Sequence, residues 1–422
     1  MKQNATVWLP YAQMQTTHPP FEVVRTNGSL LHLKDGRQLV DGVASWWTSC
    51  HGYNHPHIMQ ALQKQSEKLA HVMLGGLIHE QASTLATRLS NLLPKDLDYV
   101  FYSESGSVAV EVAMKMALQY WLNKDQKQRQ QFLYFQNGYH GDTFYTMSVS
   151  DPQDGIHPPL EHLLPKQLLQ KIPINQHELA IFEQWLQQHH QCIAGMIIEP
   201  LIQGAGGMKI TTSSDFSALI KLCQKYQILV IVDEIFTGFG RTGSLFATLQ
   251  TDIVPDIMCL SKALTAGVLP LAATIAHKKI YDTFLGKDFS KALMHGTTFM
   301  GNALACACAN ASLDLFEQEP RLAQVADIEG ILKSELMPLQ DVNGVKDVRV
   351  KGAIGVVQLK HHLDHDLNWF KHKFIDEGVW CRPFGDIVYT TPALNIDKEA
   401  LLKITDSMTK LIKLWSVERF NK

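Results

Sequence analysis

Paired cysteines, long apolar runs and an excess of either charge are all missing from this chain, and each absence removes a class of function. Its seven cysteines are odd in number and scattered, with no Cys-x-x-Cys pair. They read as small buried hydrophobes in a reducing compartment. No run approaches a membrane span, and the residues from Met1 to Thr6 lead into no apolar segment of signal-peptide length, so a cytoplasmic protein is expected. Lys and Arg number 38 against 41 Asp and Glu, a net charge of −3. Nothing therefore draws the chain towards nucleic acid or an anionic membrane. There is no internal repeat, low-complexity tract or long Pro/Gly/Ser linker. What remains is 422 residues, 45% hydrophobic and 19% charged, a composition ordinary for a soluble enzyme. The length exceeds one ordinary domain and suits a large core with a smaller companion.

The most informative stretch starts at Ile228, where five apolar residues end abruptly in Asp233 and Glu234, followed by a glycine-rich segment containing Gly238, Arg241 and Gly243. A strand buried on both faces reads this way when its last residue reaches a ligand-binding edge. A second short apolar run, residues 257–260, ends in Ser261 and Lys262. An acid and a lysine at the tips of neighbouring strands suit pyridoxal phosphate, which needs a lysine amine for its Schiff base and a carboxylate to keep its ring nitrogen protonated.

Around this pair the chain alternates. From about residue 95 to 280, apolar runs at residues 99–102, 132–135, 193–198, 228–233 and 257–260 are separated by amphipathic stretches. Ala109, Val112, Ala113, Met116, Ala117 and Tyr120 keep a helical rhythm after the first of them. This predicts an α/β fold with a mostly parallel sheet covered by helices. Ligands in such sheets bind beyond the carboxyl ends of the strands, and the chemically useful residues cluster there: 103–107, 139–142, Glu199, Asp233 and Lys262. Residues 21–43 suggest an antiparallel unit turning at Asn27-Gly28 and at residues 34–36. Strand-like residues 345–350 and 355–359 follow later. Both ends are expected in one smaller α+β domain, with residues 1–55 and 322–422 flanking a large domain over 56–321.

Residues 103–108 join a strand to a helix. A helix start offers unpaired N–H groups to an anion, and Gly106 allows close backbone approach. A serine-capped helix would read the same way; beside the acid and the lysine, a phosphate site is preferred. Tyr139 suits stacking on a planar ring, although alone it reads as a turn tyrosine. The Thr297 and Thr298 hydroxyls suit a phosphate, though such runs are usually loops. Cys50, His51, His55 and His57 resemble a metal set, but Gly52, Asn54 and Pro56 mark a turn and no carboxylate completes it, so no metal is expected. Trp46 and Trp47 abut polar loop residues and could wall a substrate pocket. His361, His362 and His365 read as a solvated face. Arg382 reads either as a surface arginine or as a bidentate carboxylate clamp.

Residues 233–243 together with 261–264 resemble the signature of the class-III pyridoxal-phosphate aminotransferases of fold type I. Four further stretches, residues 46–56, 105–121, 139–144 and 381–385, resemble the biotin-pathway branch of that class. The resemblance runs from about Tyr11 to the C-terminal region. It implies a homodimer with shared active sites, S-adenosylmethionine as amino donor and 8-amino-7-oxononanoate as acceptor. By the same resemblance, Lys262 carries the cofactor and moves the proton, and Asp233 pairs with the pyridinium nitrogen. Gly106 and Ser107 bind the phosphate, Tyr139 stacks on the ring, and Thr298, with Thr297 beside it, reaches the phosphate of the partner subunit. Tyr11, Trp46, Trp47, Tyr139 and Gly296 line the substrate pocket, Arg382 meets the substrate carboxylate with Tyr389 close by, and Tyr11 and Arg241 complete the site, the latter towards the donor. Two departures stand out. Thr297 replaces the family's proline but leaves the hydroxyl of Thr298, and residues 390–394 replace a bulkier stretch after Tyr389. The rival readings are a class-III enzyme for an ω-amino acid, ornithine or a lysine donor, and a catalytically inactive cofactor-binding regulator. The Trp46, Trp47 and Arg382 contexts count against another substrate pair, and the intact Asp233/Lys262 pair counts against an inactive regulator.

Overall fold

A computed structural model describes residues 6–152, 158–364 and 366–420 of the chain. His365 and the first five residues lie outside it. The antiparallel unit near the start consists of β1 (Val23–Asn27), β2 (Leu30–Leu33) and β3 (Gln38–Asp41). Then come β4 (Leu97–Ser103), β5 (Gln131–Phe135), β6 (Leu168–Gln170), β7 (Ile193–Ile198), the short pair β8 (Ile202–Gln203) and β9 (Lys209–Ile210), β10 (Leu229–Asp233), β11 (Ile257–Leu260) and β12 (Ala272–His277). The C-terminal part adds β13 (Val345–Lys351), β14 (Ile354–Leu359), β15 (Val379–Trp380) and β16 (Ile387–Thr390).

Seven strands form the main sheet in the order β4-β12-β11-β10-β7-β5-β6. Only β12 among them runs against its neighbours, so β4, β5, β7, β10 and β11 all end at one edge. The alternation of side chains in a strand explains why β10 is apolar throughout. Leu229 and Ile231 pack with Val110, Ala113 and Ala117 of the helix Gly106–Asn123. Val230 and Val232 point the other way, into a cluster with Phe216, Ile220 and Cys223 of the helix Ser213–Lys225. The central strands are covered on both faces, and the site forms at their tips.

The two chain ends meet directly. β15 pairs in parallel with β3, Trp380 opposite Asp41, in a four-stranded sheet β1-β2-β3-β15. β13, β14 and β16 make a separate antiparallel sheet. His362 Nδ1 meets Asp364, and the His361 ring lies 5.9 Å from Phe420. Among the described residues, no helix is long and apolar enough to cross a membrane.

Candidate active site

Asp233 ends β10 and is 4% exposed. A carboxylate so enclosed must be hydrogen-bonded: Oδ2 meets His140 Nδ1 at 2.9 Å, and Oδ1 accepts from the Ile235 amide at 3.1 Å. Lys262 follows β11 by two residues, in a left-handed backbone conformation (φ 48°). Its Nζ lies 4.3 Å from the centre of the Trp47 ring. Burial lowers its pKa to about 8, against the opposing pull of Asp233, Glu199 and Asp142. At neutral pH an appreciable fraction of the amine is therefore uncharged and nucleophilic.

Between the strand tips lies a cavity of about 150 Å³, and Lys262, Asp233, Gly106, Ser107, Tyr139 and Trp47 line it together with His140, Glu199 and Phe236. The Ser105 hydroxyl caps the helix that starts at Gly106, accepting from the Val108 amide at 3.3 Å. At Gly106 a side chain has no room, because an added Cβ would sit 2.9 Å from Ile235 Cδ1. The open amides and this bare backbone make an anion cradle. Glu199, one residue past β7, accepts from the amides of Tyr139 and Gly204, and burial pushes its pKa up to about 7.

Asp142 joins two phenols. Tyr139 donates to its Oδ1 at 2.7 Å, and Tyr11 donates to its Oδ2. Burial first, then the Asp142 contact, pushes the Tyr11 hydroxyl up to about 12; Tyr139 shifts upward as well, burial again leading. Both phenols stay protonated. The Tyr11 ring meets Trp46 edge-on at 5.7 Å, and the Arg382 guanidinium carbon lies 4.4 Å over the same Trp46 ring.

Several expected residues lie elsewhere. Tyr389 is 1% exposed and sits behind Trp47, ring centres 6.5 Å apart, off the cavity wall. Arg241 is also enclosed: its Nη1 donates to the carbonyls of Ala353 and Pro392 at 3.2 and 2.7 Å, and it does not line the cavity. Gly296, Thr297 and Thr298 lie off this cavity, with Gly296 and Thr298 exposed. Their loop is tied to the cradle by Glu104, which accepts from Thr297 Oγ1 at 2.5 Å and from the Phe299 amide at 3.2 Å. The Cys50–His57 segment has structural partners: His51 Nδ1 accepts from Arg321, His51 Nε2 meets Ser312, and His57 pairs with Asp314. No metal-holding cluster occurs among the described residues.

Comparison with known proteins decides the family. The family model for aminotransferase class-III matches residues 11–412. The chain belongs to the class-III aminotransferases. The adenosylmethionine-8-amino-7-oxononanoate aminotransferase of Buchnera aphidicola subsp. Acyrthosiphon pisum is 43% identical over 413 residues, 96% of each chain. The crystal structure of the Methanocaldococcus jannaschii protein of the same name matches with a TM-score of 0.92 at 33% identity over 97% of both chains. An amine transaminase from an uncultivated Pseudomonas species, in its PLP-bound form, matches at 0.89 and 30% identity, over 95% of this chain and 97% of that one.

The cavity of this class-III aminotransferase fits pyridoxal phosphate on its own geometry. It has one amine of lowered pKa, one buried carboxylate at the tip of β10, and a bare helix start for an anion. Residues 139–142 stood out in the sequence as a group past a strand end, but His140 and Asp142 had no individual role there; their roles come from contacts with Asp233 and the two tyrosines.

Proposed function

We propose that this protein transfers the amino group of S-adenosylmethionine to 8-amino-7-oxononanoate, giving the 7,8-diaminononanoate of biotin synthesis, with pyridoxal phosphate as cofactor. The observation that carries the proposal is Lys262 over Trp47, facing buried Asp233 across one cavity, with Arg382 stacked on the adjoining Trp46. The names of relatives such as the Buchnera protein supply the substrate pair. Pyridoxal phosphate, when bound, supplies an electron sink for the negative charge left on the donor carbon after its proton is removed. The chain supplies the rest. Lys262 Nζ holds the cofactor and takes and returns the proton. Asp233, kept in place by His140 and the Ile235 amide, keeps the ring nitrogen protonated. The amides at Gly106 and Ser107 receive the phosphate. Tyr139 packs on the ring, Tyr11 and the two tryptophans wall the substrate space, and Arg382 takes the acceptor carboxylate.

We also propose a homodimer with shared sites, in which Thr298, with Thr297 and Gly296 beside it, serves the neighbouring cavity. The support is a loop that does not line its own cavity and is rich in exposed apolar surface: Met294 is 68% and Phe299 58% exposed. Phe299 packs on His71, just before exposed Met73, Leu77 and Ile78. Such a patch suits an interface between copies. Residues 56–321 are read as the large domain, and 1–55 with 322–422 as the small one. A cytoplasmic location accords with the balanced charge and the free cysteines. The test is a donor screen without acceptor, following the cofactor's visible absorbance. S-adenosylmethionine should bleach it and the acceptor should restore it. Bleaching by lysine alone would overturn the donor assignment.

A further inference from the structure

The two cation–aromatic contacts of the site depend on a backbone that L-amino acids resist. Ala44, Ser45, Trp46 and Trp47 have φ of 46, 48, 63 and 74°, four consecutive left-handed residues without a glycine. They close a helical turn, with the Trp47 amide donating to Val43 O at 2.9 Å and Thr48 to Ala44 O at 2.8 Å. Left-handed turns crowd each Cβ against the following carbonyl, so such a run persists only where its surroundings over-determine it.

Asp41 does this. It is 2% exposed, and its carboxylate receives the two amides that open the turn, Val43 N on Oδ1 at 2.9 Å and Ser45 N on Oδ2 at 2.7 Å. The Tyr53 hydroxyl donates to Oδ2 at 2.6 Å. The same strand end also fixes the other partner of the Trp46 stack. Asp41 lies opposite Trp380 of β15, two residues before Arg382. The next residue, Gly42, donates its amide to Trp380 O at 2.9 Å and accepts from the Thr391 amide and the Thr390 hydroxyl, both at 2.7 Å. A side chain at Gly42 would meet Cys381 Sγ at 2.8 Å. Trp46 and Arg382 are thus set from one point.

We infer that Asp41 is a positioning residue: by capping the left-handed turn it places Trp46 under Arg382 and Trp47 under Lys262, and so sets the acceptor clamp. This rests on the proposed carboxylate role of Arg382 and deepens it. An aspartate is required because two acceptor oxygens must face three donors at once; an asparagine turns an N–H onto one of them.

The test is a mutant cycle on the holoenzyme with Asp41→Asn, Arg382→Ala and the double variant, read as kcat and KM for 8-amino-7-oxononanoate. It is paired with near-ultraviolet circular dichroism of the cofactor-free chains, where a Trp46→Phe difference spectrum marks the bands of the turn. Asp41→Asn should alter those bands and lower kcat/KM about tenfold, mainly through KM, the size of one lost hydrogen bond to a charged group. In the Arg382→Ala background that further loss should shrink to less than about twofold, as for coupled residues. Tyr53→Phe, which removes one donor and leaves the carboxylate, should give the same pattern more weakly and carries the test if Asp41→Asn does not fold. Losses that multiply, or unchanged tryptophan bands, overturn the inference alone. An Arg382→Ala enzyme with normal acceptor KM overturns the carboxylate reading and this inference with it.

Discussion

Replacing Arg382 by alanine isolates the part of the site that recognises the acceptor. The guanidinium is half-buried and lies 4.4 Å over the Trp46 ring. Stacking leaves the planar fork free to face a carboxylate with two parallel N–H groups. Truncating one member of a buried charge pair costs about 2–5 kcal/mol. Partial exposure of Arg382 places the loss near the lower end, about 2 kcal/mol, or roughly thirtyfold at about 1.36 kcal/mol per decade. The alanine also strips a cation from Trp46, which adds about 0.5–1 kcal/mol of lost contact. Steady-state kinetics at saturating donor should therefore show KM for 8-amino-7-oxononanoate rising roughly seventy- to 160-fold. The visible spectrum of the bound cofactor should stay normal, since Lys262 and Asp233 are untouched. The methyl ester of the acceptor lacks the charge, so it should bind the wild-type enzyme poorly and lose little more in the variant. Equal losses for acid and ester would refute the assignment of Arg382 to the carboxylate.

Lys262→Ala should fold and melt close to wild type yet give no multiple turnover, because no other amine among the described residues lines the cavity; sustained turnover would contradict its role. Burial brings the Lys262 pKa down to about 8, so capture of pyridoxal phosphate by the cofactor-free enzyme should accelerate as pH rises through about 8. The sign follows from loss of the proton there in the folded chain, while the unfolded chain keeps it to higher pH; in that window stability also rises with pH, and a capture midpoint near that of free lysine would exclude a buried amine. Asp233→Asn should retain some cofactor and lose most of kcat, since an amide cannot hold the ring nitrogen's proton. Mixing inactive Lys262→Ala with inactive Thr298→Arg should restore activity after subunit exchange, because one site of the mixed dimer carries neither lesion; verified heterodimers without activity would rule out a shared site.

Asp233 and Lys262 were legible because a doubly buried strand is apolar until it reaches its ligand edge, and both stand just past that point. The same logic applied to β3 would have flagged Asp41, which also ends an apolar run. It went unread because residues 38–41 are few and the turn that follows contains no glycine to announce positive φ. β12 was hidden by its small residues, Ala272, Ala273 and Ala276 among them, which make a weak strand signal although all three are buried. Arg241 sits in a glycine-rich segment that reads as open loop, yet the close packing of Gly238 and Gly240 on neighbouring atoms draws the whole segment inside. The Cys50–His57 stretch was set aside as a metal site because its glycine, asparagine and proline mark a turn, but the partners of its histidines, Arg321, Ser312 and Asp314, lie more than 250 residues away and beyond the reach of local spacing.

Following the amino nitrogen itself tests the central claim most directly. S-adenosylmethionine labelled with nitrogen-15 at its amino group is incubated with the purified enzyme and 8-amino-7-oxononanoate, and the product is analysed by mass spectrometry. The label should appear once in each 7,8-diaminononanoate molecule, at the carbon that carried the ketone. Unlabelled product, or product formed only when labelled lysine replaces S-adenosylmethionine, would contradict it.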